Sequence, residues 1–263
     1  MDKNTELIEH LKSLRLQSFI EYLDDTESSN LSLRESLLTL CRHEWQRRHD
    51  VSIHRRLKQA SFPKIKTLAM IDYSLAPGLS REMVNNLSTC KFIQDKRNVI
   101  LVGDSGGGKT HLAISLGVEA CKQGMTVGFY DVNKLSNLLL KEHKYGDIER
   151  VITKLKKLDL LILDELGYVP FSKNSAELLF RVFSERYEVG SLIITTNLHF
   201  SKWTNLFQDK TMTTALLDRV THNATIIKYD WGSIRLTETL GDNKREVEEE
   251  VEEEAEETQE ELF

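Results

Sequence analysis

Gly103-Asp104-Ser105-Gly106-Gly107-Gly108-Lys109-Thr110 has the spacing G-x-x-x-x-G-K-[ST]. It follows the apolar run Val99–Val102 and opens a helical stretch, the context that a phosphate-binding loop requires. Glycines let successive backbone N–H groups turn inward around an anion, and the following helix aims its positive end at the same point. A lysine placed as Lys109 is reaches the β and γ oxygens of a nucleoside triphosphate, and a hydroxyl placed as that of Thr110 ligates Mg²⁺. The expected ligands are ATP and Mg²⁺.

Leu160-Leu161-Ile162-Leu163 is an apolar strand that ends in Asp164-Glu165. Asp164 is placed to hold the metal together with Thr110. A second carboxylate, Glu165, can orient or deprotonate an attacking water, which favours hydrolysis over transfer to a small acceptor. A further apolar strand, Leu192-Ile193-Ile194, ends in Thr195-Thr196-Asn197, whose polar side chains could reach the γ-phosphate or its water. Threonine and asparagine also end many strands that bind nothing, so the spacing alone leaves both readings open.

These residues need a sheet to hold them. Short runs rich in Val, Ile and Leu recur at Val99–Val102, Thr126–Tyr130, Leu160–Leu163, Leu192–Thr196 and Thr225–Lys228, with helical stretches between. That alternation predicts an α/β core with a parallel sheet covered on both faces. Upstream, residues 5–23 and Leu31–Ala60 carry apolar side chains at helical spacing, separated by a polar turn at Thr26–Asn30. Pro63 and Pro77-Gly78 mark a connector with one short helix near residues 80–93. The expected organisation is a helical N-terminal region (1–60), a linker (61–97), an ATPase core (98–240) and an acidic tail (241–263).

The formal charge of −6 conceals a division along the chain. Residues 241–263 hold twelve acids against Lys244 and Arg245, and the remainder holds 33 basic and 29 acidic side chains. The tail cannot bury a core and is expected to be disordered, whereas the mildly basic remainder permits a nucleic-acid partner. Cys41, Cys90 and Cys121 are odd in number and scattered, which fits a reducing cytoplasm. The charged N-terminus lacks the apolar stretch of a signal peptide, and no run approaches a membrane span, so a soluble protein with no membrane partner is expected. His43, His49 and His54 stand six and five apart, unlike helix ligands four apart, and no metal site beyond nucleotide-bound Mg²⁺ is expected.

The three strand ends, in this order, resemble those of the AAA+ clade of replication initiators and helicase loaders, the DnaA and DnaC families. The chain is more similar still to the IstB family of transposition helpers. That resemblance rests on Ala60-Ser61-Phe62-Pro63 with Lys66-Thr67-Leu68, and on Gly108-Lys109-Thr110-His111-Leu112-Ala113. It continues in Phe180 to Tyr187 with Arg186-Tyr187-Glu188, in Thr195-Thr196-Asn197 with Phe200 and Trp203, and in Leu217-Asp218-Arg219. It spans roughly residues 5–240. It implies a five-stranded AAA+ core, ATP-dependent self-assembly on DNA, and recruitment or activation of a partner transposase. His111 joins the nucleotide-binding residues on the same grounds. By that likeness Asn197 is the sensor 1 residue, Arg219 an arginine finger acting on a neighbour's ATP, and Arg235 a sensor 2 arginine. Two departures stand out. Related loops often carry Pro after the first Gly where this chain has Asp104, whose charge near a triphosphate is expected to lower affinity, and the acidic tail is foreign to the family.

Residues 42–66 are strongly basic. On a helix Arg48 and Arg55, seven apart, share a face flanked by Arg47 and Arg56, with Lys58 and Trp45 nearby. Such a stripe either neutralises phosphates without reading bases or is a solvated face. Lys141 and Lys144, in the helix after the second strand, are a second DNA-contacting candidate, because the initiator and loader clade places a DNA-path helix there. A DnaC-type helicase loader would share every catalytic residue and differ in its partner. A small-molecule P-loop kinase would leave Glu165 and Arg219 without roles.

Overall fold

The computed structural model describes residues 2–27 and 31–234. Arg235 and the acidic segment 241–263 lie outside the described residues. Contacts divide the chain into two compact units, Met1–Lys58 and Gln59–Phe263. Among the described residues no helix is long and apolar enough to cross a membrane.

The first unit contains α1 (Lys3–Ser13), α2 (Gln17–Glu21), α3 (Leu23–Glu27) and most of α4 (Leu33–Ala60). The helix expected over residues 5–23 is broken, because Arg15 takes a left-handed backbone at φ 56° and turns the chain between α1 and α2. Ser32 and Glu35 form a capping box at the start of α4: the Ser32 N–H donates to Glu35 at 2.9 Å, and the Glu35 N–H to the Ser32 hydroxyl at 3.4 Å. Glu44 holds the unit together. Its side chain, only 6% exposed, accepts from the Ser18 N–H of α2 at 2.9 Å, from Arg47 at 2.8 Å and from Arg48 at 2.7 Å. Arg48 also donates to the Arg15 carbonyl at 3.0 Å, and Tyr22 stacks on His43 at 4.0 Å.

The Arg47 guanidinium, more than burial opposes it, holds the Glu44 carboxyl down at about 2, and the Ser18 N–H and Arg48 add to the effect. A carboxyl depressed by folding stabilises the fold fully above its unfolded value of 4.5, and that contribution is lost as pH falls through about 2. The depression corresponds to at most roughly 3 kcal/mol. Hydrogen exchange at the Ser18 amide, corrected for its intrinsic rate, should therefore accelerate steadily in that window. In Glu44→Gln the protection should already be weakened at neutral pH and respond little to acid, and matching wild-type and variant profiles would refute the role.

In the second unit, α5 (Arg81–Ser88) and α6 (Lys91–Gln94) precede β1 (Asn98–Gly103), α7 (Lys109–Lys122), β2 (Val127–Asp131), α8 (Val132–Tyr145) and α9 (Ile148–Lys156). Then come β3 (Leu160–Leu166), α10 (Lys173–Arg186), β4 (Ser191–Thr196), α11 (Trp203–Phe207), α12 (Lys210–Thr221) and β5 (Ala224–Tyr229). Where one short helix is expected near residues 80–93 there are two, because Cys90 at φ 57° interrupts the run. All five expected strands form, and every pairing is parallel in the order β2-β3-β4-β1-β5. Ile100, Leu161, Leu163, Leu192 and Ile194 pack against α8 to α12 on one face. Alternate residues such as Ile162 and Ile193 are also fully buried, and α7 packs on β3 and β4. Burial on both faces is why the strands read as unbroken apolar runs.

The topology positions the chemistry. β4 lies between β1 and β3, so the polar end of β4 separates the glycine-rich loop after β1 from the acids closing β3. Residues 61–97, expected as a linker, belong to the same compact unit as the sheet, and Phe62 packs edge-on to Phe129 of β2 at 6.1 Å.

Candidate nucleotide-binding site

The loop from Gly103 to Gly108 bends sharply between β1 and α7, with φ 87° at Gly106 and 94° at Gly108, a region that side-chain-bearing residues seldom adopt. Lys109, the first residue of α7, folds back and donates to the carbonyls of Gly103 and Asp104, each at 2.7 Å. The other wall of the loop is the segment after β5: the Ile234 N–H donates to the Gly106 carbonyl at 3.1 Å and the Trp231 indole to that of Gly107 at 3.2 Å. A cavity of about 390 Å³ opens over the loop, lined by Ser105 to Leu112 together with Glu165, Tyr168, Thr195, Thr196 and Asn197.

Asp164 is the electrostatic focus. Its Oδ1 accepts from the Thr110 hydroxyl at 2.9 Å and from the Thr195 hydroxyl at 2.6 Å. Burial raises its pKa above the ordinary carboxylate value, with Asp131 adding to the rise, while the Thr195 and Thr110 hydrogen bonds and the Lys109 charge oppose it. The carboxylate and the Thr110 hydroxyl are hard oxygen donors side by side, a set that fits Mg²⁺.

Glu165 is set apart from Asp164 by a β-bulge. Leu163 pairs with Ile194 and Leu166 with Thr196, so three steps of β3 face two of β4. Glu165 takes a left-handed backbone at φ 63°, and its N–H is held by the Thr195 hydroxyl at 2.9 Å. The bulge leaves Asp164 buried while Glu165 is exposed to the cavity. A non-glycine residue held in this region is strain of the kind that collects at functional sites. Asn197 also faces the cavity, and its buried Oδ1 has no hydrogen-bond partner among the described residues.

The site residues expected from sequence therefore divide. Ser105, Gly106, Gly107, Gly108, Lys109, Thr110, His111, Glu165 and Asn197 line the cavity, and Asp164 lies directly beneath through its bond to Thr110. Gly103 and Asp104 do not line it, and the Asp104 side chain is exposed outside it. His111 bonds the Thr67 carbonyl at 3.1 Å. Arg219 is elsewhere, in a small cleft with Asn98, Gly190 and Leu192, at the strand ends opposite the loop. Its guanidinium donates to the Ala215 carbonyl at 2.8 Å and lies 5.4 Å from the Phe180 ring centre. Lys141 and Lys144 are exposed on α8. On α4, Arg55 and Lys58 are exposed, Arg56 donates to Ser52 at 2.6 Å, and Arg47 and Arg48 are engaged by Glu44.

Sequence reasoning missed three contributors. Ile71, Leu75, Ala76 and Leu79 form an apolar wall of the cavity, although their stretch reads as a connector. Lys64 and Lys66, at the end of the strongly basic stretch 42–66, line the cavity. The Tyr168 hydroxyl meets that of Ser105 at 2.5 Å. The Gly-Tyr that follows the two acids was the one available signal for the last.

A family model described as IstB-like ATP binding protein matches residues 9–241. The chain is similar to the insertion sequence IS21 ATP-binding protein of Pseudomonas aeruginosa, with 39% identity over 233 residues covering 88% of each chain. It is 32% identical over 237 residues to the corresponding IS232 protein of Bacillus thuringiensis subsp. berliner, covering 89% of this chain and 95% of that one. Among solved structures it is similar to DnaI, with a TM-score of 0.55 and 17% identity over 68% of this chain and 98% of that one. AMPPCP-bound DnaA from Aquifex aeolicus gives a TM-score of 0.53 at 21% identity, covering 64% of this chain and half of the DnaA chain. These two likenesses show the AAA+ fold. The match over nearly the whole chain, with the loop and its acids in place, shows that the chain belongs to the IstB-like family of insertion-sequence ATP-binding proteins.

Proposed function

We propose that the chain hydrolyses ATP with Mg²⁺ and that its ATP-held oligomers on DNA recruit or activate a partner transposase. One observation carries the reading: Thr110, Asp164, Thr195 and Glu165 form a continuous hydrogen-bonded set at the mouth of the phosphate loop. The loop N–H groups and the start of α7 bind the phosphates, and Lys109 exchanges its carbonyl partners for phosphate oxygens. Thr110 and Asp164 hold Mg²⁺, which when bound neutralises charge that builds on the phosphates. Glu165 orients the attacking water and accepts its proton, and Asn197 offers its Oδ1, which has no partner among the described residues, to the same water. The apolar wall of Ile71, Leu75, Ala76 and Leu79 suits the face of a base. With Asp104 outside the cavity, its charge weakens affinity less than its place in the motif suggests.

The exposed Arg55 and Lys58 of α4 and Lys141 and Lys144 of α8 are the basic groups proposed to meet DNA phosphates. Arg47 and Arg48 are poor test positions, because replacing them also strips Glu44 of its partners. Arg55→Ala with Lys58→Ala should weaken duplex binding in the presence of a non-hydrolysable ATP analogue about equally for all sequences. The slope of log affinity against log salt should fall by about one unit per lost contact. An unchanged slope moves the contact to Lys141 and Lys144. If neither pair alters a DNA affinity that ATP controls, or if the product of turnover is a phosphorylated small molecule, the reading is wrong.

A further inference from the structure

The segment from Glu165 to Tyr168 is constrained at three points. The Glu165 N–H is held by Thr195. Two residues on, the backbone at Gly167, φ 123°, passes so close to Asn197 that an added Cβ would stand 2.8 Å from Asn197 Oδ1. One residue further, Tyr168 reaches across to the phosphate loop, where its hydroxyl meets that of Ser105 at 2.5 Å, 63 residues away in sequence. Tyr168 is 49% exposed, so burial does not hold the ring there, and the hydroxyl contact is its visible tether. Thr195 and Asn197 belong to β4 and its end, whereas Ser105 belongs to the loop whose Gly103 and Asp104 carbonyls hold Lys109.

We infer that Tyr168 is a positioning residue that couples the phosphate loop to Glu165. The inference rests on the hydrolysis reading above. Glu165 sits on a strained bulge with its side chain toward the cavity, and the anchoring of the residues that follow it is one constraint on where its carboxylate points. With Tyr168 fixed on Ser105, a shift of the loop on binding ATP carries the chain after β3 with it and brings Glu165 to its working distance. Without the tether, ATP still finds the loop N–H groups, Lys109, Thr110 and Asp164, but Glu165 is held less firmly at its working position. Misplacement of a reacting group by about 1 Å is enough to cost up to 10²-fold in rate.

The test compares wild type, Tyr168→Phe, Ser105→Ala and the double variant, as full chains with and without duplex DNA. Phosphate release and the affinity for a fluorescent ATP analogue are measured. Tyr168→Phe should lower kcat by about tenfold with nucleotide affinity and melting temperature little changed, a split that loss of general packing does not produce. The double variant should be no slower than the slower single variant, since each removes the same contact. Wild-type kcat in Tyr168→Phe, a loss residing in affinity instead of kcat, or additive losses in the double variant would each overturn the inference. Glu165→Gln separates the two readings: if it is inactive while Tyr168→Phe is unimpaired, only the coupling fails, and if wild type releases no phosphate, both fail.

Discussion

Glu165→Gln is expected to slow ATP hydrolysis by ~10² or more while leaving nucleotide affinity close to that of the wild type. The structure separates these effects. The bulge is held through the Glu165 backbone N–H, which glutamine keeps, and glutamine matches glutamate in size. Thr110 and Asp164 are bonded to each other, and Asp164 also accepts from Thr195, so the proposed metal ligands are untouched. What disappears is the ability to accept a proton from water, since an amide is no base at neutral pH. Assemblies held by ATP on DNA should correspondingly last longer. Turnover near the wild-type rate would remove Glu165 from the mechanism.

The five strands were legible because a parallel sheet buried on both faces leaves unbroken apolar runs. The glycine-rich loop and Asp164-Glu165 were legible because backbone N–H binding and metal ligation prescribe residue types at short spacing. The bulge at Asp164-Glu165 was not, since it arises from register against β4, which local sequence does not encode. Long-range pairs were hidden for the same reason. Ser105 with Tyr168 and Ser18 with Glu44 join residues whose neighbours in sequence say nothing of each other. The basic stripe of α4 looked uniform in sequence, yet Glu44, one turn before Arg47 and Arg48, draws those two into the packing of the first unit and leaves Arg55 and Lys58 outside it. The residues around Ile71 and Leu75 read as a connector because prolines flank an aperiodic stretch, and only the tertiary fold makes them a cavity wall.

Arg219→Ala is expected to reduce hydrolysis by about 10³ with nucleotide affinity preserved, because a finger arginine stabilises charge present only in the transition state. Within one chain such a role is impossible. Arg219 lies beside the first residues of β1 and β4, and the phosphate loop follows the last residue of β1. A six-residue strand at about 3.3 Å per residue separates them by roughly 17–20 Å, well beyond a single side chain. The Ala215 carbonyl and the Phe180 ring hold the guanidinium at the surface of α12, a place from which a neighbouring copy could receive it. Action in trans demands a head-to-tail interface in which one chain supplies the loop and the next supplies Arg219. Mixing tests this directly. Arg219→Ala retains a complete loop and Glu165, while Glu165→Gln retains Arg219, so a contact with the first as site and the second as donor is whole. Random mixing in equal amounts makes about a quarter of head-to-tail contacts of this kind. Turnover should therefore rise from near zero for either variant alone to an appreciable fraction of wild type. A mixture no more active than its components would mean that Arg219 serves the packing of α10 and α12 and that the neighbour contributes no arginine from this position.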